Sequence, residues 1–112
     1  MCPNETFPLR PGEDADFALR ITNDECEPYL HRGDTALIKH VREVRDGDVG
    51  LFFDGERAVI RQYCEDWAGN AYLFVLNRRH KQLDRMFPAG EGRPVCCFGI
   101  VQGLGDVPLP EC

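Results

Sequence analysis

No stretch of this chain keeps a helical period of apolar residues beyond two turns, and this limits its fold more than any other feature. Apolar residues recur instead in short runs, cut by Gly, Asp, Asn and Pro. In Phe17-Ala18-Leu19-Arg20-Ile21 the larger residues alternate, which places Phe17, Leu19 and Ile21 on one face. A period of two with aromatic and branched residues predicts a strand. Thr35-Ala36-Leu37-Ile38-Lys39 predicts a second and residues 49–53 a third. Asp54-Gly55 is a two-residue hairpin signal, so residues 49–53 are expected to pair with residues 56–63. Glu65 to Asn70 read as the next turn, with Trp67 partly exposed in it. Residues 71–77 follow as a strand with Tyr72, Phe74 and Leu76 on one face and Leu73 and Val75 on the other. Two apolar faces imply a central strand. Residues 78–93 read as a loop with one helical turn near residues 82–85, and residues 94–101 as a last strand, apolar on both faces.

The expected fold class is therefore all-β, in one domain, because 112 residues leave no room for a second core. Residues 1–15, with Pro3, Pro8, Pro11 and Gly12, read as an extended arm; residues 16–102 form the domain; residues 103–112 form a tail. A net charge of -6 argues against direct nucleic-acid binding, which needs clustered cations against phosphate. The densest basic run, Arg78-Arg79-His80-Lys81, reads as a solvated turn. The six cysteines (Cys2, Cys26, Cys64, Cys96, Cys97 and Cys112) have no C-x-x-C spacing, and His31, His40 and His80 form no ligand pattern. Neither a metal nor any other cofactor is expected. The first residues lack the basic start and apolar core of a signal peptide, and no run is long enough to span a membrane. The expectation is a cytoplasmic protein with free thiols and no membrane partner.

One stretch concentrates the chemistry: Asn23-Asp24-Glu25-Cys26-Glu27-Pro28, followed by Tyr29-Leu30-His31-Arg32-Gly33-Asp34. It lies between two predicted strands, an arrangement that delivers polar side chains from a strand end into a cleft. Pro28 fixes φ, and Gly33-Asp34 is turn chemistry, which also gives Arg32-Gly33-Asp34 a structural reading in place of an adhesive one. The frame resembles the nucleophile motif of the LexA, UmuD and phage-repressor family of self-cleaving Ser-Lys peptidases, close to G-D-S-M-x-P followed by G-D. Asp24, Pro28, Gly33 and Asp34 match it, while Glu25 stands at the serine position and Cys26 where a packing methionine is usual. The resemblance covers residues 16–102, with Phe98-Gly99-Ile100-Val101 as a further family-like mark. It implies the irregular, partly barrel-like β-fold with hairpins shared by LexA and signal peptidases.

In that family a buried neutral lysine takes the serine proton. Its pattern resembles K-Q-Y, which aligns with Arg61-Gln62-Tyr63; a shift of one residue would put Ile60 there. Neither residue is a base, since isoleucine has no acceptor and arginine stays protonated. No serine occurs anywhere in the chain. Thr22 and Thr35 bracket the motif, and Glu25 with Asp24 or Glu27 has no sugar-binding context. Cys26 is the alternative nucleophile for an active self-cleaving peptidase, with His31 the nearest base in sequence, yet on an extended segment it points away from Glu25. The resemblance thus implies a domain with both dyad residues replaced, serving dimerisation or regulatory binding in transcriptional repression. A homodimer is expected, with Val95, Cys97, Phe98, Ile100 and Val101 as the candidate interface. A helix-turn-helix DNA-binding domain is the expected neighbour in a full-length repressor; otherwise the chain acts alone, as an inhibitor or titrant of an active relative. Glu25 and Arg61 are expected to face each other as a partly buried ion pair, with two parallel hydrogen bonds.

Overall fold

The computed structural model describes residues 6–7, 15–53, 56–91, 96–104 and 107–110. Eight strands form one antiparallel sheet: β1 (Thr6–Phe7), β2 (Phe17–Arg20), β3 (Thr35–Lys39), β4 (Val49–Phe53), β5 (Ala58–Glu65), β6 (Ala71–Phe74), β7 (Arg85–Phe87) and β8 (Cys96–Val101). Their order is β1-β2-β3-β8-β4-β5-β6-β7, so the sheet is open between β1 and β7 and is not a closed barrel. The only helical pieces described are two short 3-10 turns, Arg78–Leu83 and Ala89–Glu91. No helix among the described residues is long and apolar enough to cross a membrane.

Alternation along the strands separates two apolar clusters. Leu19, Ala36, Ile38, Val49, Leu51, Ala58, Ile60 and Val101 join Ile21, Cys26 and Leu76 in the larger one. Phe52, Tyr63, Ala71 and Leu73 make the smaller one, with Phe52 and Tyr63 stacked. Every residue of β5 from Ala58 to Tyr63 is buried, with β4 beside Ala58 to Gln62 on one side and β6 from Gln62 onward on the other. Val107, in the expected tail, packs against the larger cluster, and its carbonyl accepts a hydrogen bond from Gln62 Nε2 at 2.6 Å.

Several details differ from the sequence expectations, each for a local reason. The paired residues nearest the β4–β5 turn are Phe53 and Ala58, so the connection has four residues, not the two that Asp-Gly implies. Asp54 and Gly55 themselves lie outside the described residues. β6 stops at Phe74 because the next amide, Val75 N–H, turns to Asp84 Oδ1 at 2.8 Å. The expected loop over residues 78–93 carries β7, a three-residue strand that gains its place by pairing with β6. Thr6 and Phe7, in the expected arm, pair with Leu19 and Ala18. Trp67 is 98% exposed, more than its turn position suggested.

β8 is central in order but not buried along its length: Cys96 and Phe98 are exposed, and Val101 is buried. On β8, β3 pairs only with Ile100 and Val101, whereas β4 pairs along Cys96–Ile100 through a bulge. Leu51 faces Gly99 and Phe52 faces Cys97, so Phe98 is the extra residue. Gly99 allows this close seam. A Cβ there would lie 2.6 Å from Ile38 Cγ2 and 2.9 Å from the Lys39 carbonyl oxygen, and one on Gly50 would lie 2.6 Å from the Gly99 carbonyl oxygen.

Candidate functional site: a cleft beside the acidic loop

The loop after β2 leaves and returns at one point. Ile21 N–H donates to Asp34 O and Gly33 N–H donates to Ile21 O, both at 2.8 Å, which closes residues 22–32 into a compact excursion. Gly33 makes the return at φ +94°, a left-handed conformation that favours glycine. Asp34 Oδ2 accepts from His31 N–H at 2.8 Å. Within the loop, Asn23 Oδ1 accepts from Glu25 N–H at 3.0 Å, and the Cys26 carbonyl accepts from the amides of Tyr29 and Leu30. Tyr29 and Leu30 pack against the larger apolar cluster, and the Glu27–Pro28 peptide bond is cis.

A second element holds the loop from outside. Asn77, buried at the start of the first 3-10 turn, donates from Nδ2 to Asp24 O at 2.8 Å and from its backbone to Glu25 O at 2.9 Å. Its Oδ1 accepts from Arg79 N–H, capping that turn. His80 Nε2 lies 3.0 Å from Asp24 Oδ1, and this hydrogen bond holds the Asp24 carboxyl below its usual range. Arg78, in the same basic run, forks onto Asp84 and stacks over Phe74.

Arg61 and Glu25 meet where β6 departs. β6 pairs only with Gln62 to Glu65, so the Ala58 to Arg61 half of β5 has no strand on that side, and the loop lies against it. The Arg61 side chain is 3% exposed and its Nη1 is 2.9 Å from Glu25 Oε1. The ion pair is present, but the expected two parallel hydrogen bonds are not: the hydrogen bond from Nη1 goes to Ile60 O at 2.9 Å. The second oxygen of Glu25 belongs to Arg57, whose Nη2 donates to Oε2 at 3.3 Å. One carboxylate, 15% exposed, therefore sits between two guanidinium groups. Ile60, the other candidate for the base position, is part of the larger apolar cluster.

These residues line a cleft of about 70 Å³ that also includes Ile21, Thr22, Asn23 and Cys26. Cys26 is 3% exposed, and burial pushes its thiol up to about 12, with the Arg61 charge opposing and the Glu25 charge adding to the rise. It belongs to the apolar cluster, the packed thiol that the sequence reading expected, and its residue also borders the cleft. His31 sits 3.8 Å from Glu27, on the exposed side of the loop. Of the candidate interface residues, Cys97 and Ile100 are half-buried, Phe98 is exposed and Val101 is buried; Val95 lies outside the described residues. Arg57, Asn77 and His80 were missed as site residues. The one available signal was the Asn-Arg-Arg-His run directly after an apolar strand, a cap pattern.

Residues 2–88, most of the chain, match the Peptidase S24-like family. Comparison with curated proteins and with solved structures returned no match. The family match spans the acidic loop, Arg61 and the Asn77 anchor, and stops before β8. On this match the chain belongs to the Peptidase S24-like family.

Proposed function

We propose that this domain works without cleaving peptide bonds, as a dimerising or partner-binding regulatory domain linked to transcriptional repression in the cytoplasm. The observation that carries the reading is the contact between Glu25 and Arg61, at the two positions where the resemblance puts a serine and a lysine. A carboxylate is a poor nucleophile toward an amide, and a guanidinium has no lone pair to accept a proton. Cys26, the remaining candidate, holds its proton far above neutral pH, where a thiolate is needed for attack.

The surface offered to a second copy is the Cys96 to Phe98 part of β8, whose β3 side has no strand partner among the described residues. Phe53 and Phe98, each 40% exposed, flank it. An unpaired edge beside apolar side chains is a template for strand pairing. Light scattering after size exclusion, at about 50 μM, is expected to give twice the chain mass, and Phe98→Glu to return the monomer. A wild-type monomer at that concentration rejects the dimer. Incubation at alkaline pH followed by intact-mass measurement is expected to leave the chain whole. A fragment that disappears in Cys26→Ala would establish the cysteine peptidase instead.

A further inference from the structure

We infer that the cleft beside Arg61 receives the carboxylate group of a small acid or of a peptide terminus. The inference goes beyond the dimerisation reading and is independent of it. It rests first on hydrogen bonds that Arg61 does not make. Nη1 carries its contacts, to Glu25 Oε1 and to Ile60 O. Nε and Nη2 donate no hydrogen bond to any described residue. Yet no buried side-chain nitrogen or oxygen among the described residues is without a hydrogen-bond partner. Neither atom is therefore fully enclosed, and Arg61 lines the cleft.

The chemistry of those two atoms selects the occupant. The Nε and Nη2 hydrogens point the same way from one edge of a planar group, and that edge matches the two oxygens of a carboxylate. A primary amide would turn a donor toward one of them, and donors cannot pair. Charge agrees. The charged residues of the cleft are Glu25, Arg57 and Arg61, a local balance of +1 in a chain of net charge -6. Glu25 already has a cation on each oxygen, so a second carboxylate does not meet a bare acid. Size agrees as well. A cleft of about 70 Å³ admits a head group and leaves the rest of the ligand outside. Thr22 and Asn23 border it on the outer side.

The test is an amide chemical-shift titration of the whole chain at pH 7 and constant ionic strength. The probes are sodium acetate, acetyl-alanyl-alanine with a free carboxylate, and the same dipeptide as its terminal amide. The dipeptide acid is expected to produce saturable shifts at Asn23, Glu25, Ile60 and Arg61, and the amide to bind at least about tenfold more weakly. Acetate matching the dipeptide acid supports a site for small free acids, and a tighter dipeptide acid supports a chain terminus. Arg61→Lys keeps the charge but loses the fork, and is expected to weaken the acid by about tenfold. If that variant does not fold, the acid and amide comparison on the wild type decides alone. No saturation by any acid up to about 50 mM, equal affinity for the amide, or an Arg61→Lys protein that folds and binds unchanged overturns the inference.

Discussion

Removing the Arg61 guanidinium takes the nearer of two cations from Glu25 and leaves a carboxylate, 15% exposed, with Arg57 at 3.3 Å beside it. Breaking a buried pair from one side costs about 3–5 kcal/mol, and Arg57 keeps this case near the lower end. Arg61→Ala is therefore expected to lower stability by about 3 kcal/mol in urea unfolding. Arg57→Ala, at a side chain 43% exposed, is expected to cost less than about 1 kcal/mol. Equal costs would show that Glu25 does not depend on the buried arginine. At this scale the sequence was informative where chemistry alone decides. An acid and an arginine at two separated motif positions pointed to a pair. It did not reveal that Arg57 takes the second oxygen, because four residues along a strand carry no such information without the loop's position.

The elements follow the same division. β2 was legible because apolar residues of period two select a pleated strand with a buried face, and β3 to β6 and β8 because short apolar runs are bounded by turn residues. β7 was not, since Arg85-Met86-Phe87 has no alternation to read and is a strand only through β6. The end of β6 was also hidden, because it is set by Asp84 accepting the Val75 amide nine residues away. Asn77 read as a strand end, whereas its side chain fastens a loop 53 residues distant. Contacts of this kind depend on the completed fold and leave no periodic trace. The β3–β8–β4 seam makes a sharper prediction. Gly99→Ala would place its methyl 2.6 Å from Ile38 Cγ2 and 2.9 Å from the Lys39 carbonyl, in a region where backbone must yield. A loss of about 1–3 kcal/mol is expected, with faster amide exchange in β3 and β8. An alanine variant of wild-type stability would mean that the two strands sit farther apart than described.

For the whole molecule, the titrating groups define a pH window. Burial raises Cys26 to about 12 from 9.0, and burial with the hydrogen bond to Glu65 raises Tyr63 to about 12 from 10.0. The unfolded chain ionises these groups first, so the folded state binds more protons above pH 9 and stability falls as pH rises toward 12. Asp24 and Asp66 have the opposite sign. Hydrogen bonds from His80 and from Asn70 hold them below 3.8, so their contribution is present above that pH and is lost as pH falls through the lowered values. Urea midpoints are expected to form a plateau between about pH 4 and 9, and Tyr63→Phe with Cys26→Ala to flatten the alkaline limb. An alkaline limb unchanged in the double variant assigns it to other groups.

The place of β8 in the sheet order has a consequence for how the protein is made. Among the described strands this one comes last in sequence, yet it is the ladder between β3 and β4. During synthesis β1 to β3 and β4 to β7 can each pair among themselves as they emerge. The join between them waits until residue 101 has left the ribosome. Until then the nascent chain presents two long inner edges, the kind of surface that recruits chaperones or pairs with a neighbouring chain. A premature stop before β8 releases those edges permanently. Such a truncated product is thus a candidate for aggregation or degradation even though it retains the entire acidic loop, Arg61 and the cleft.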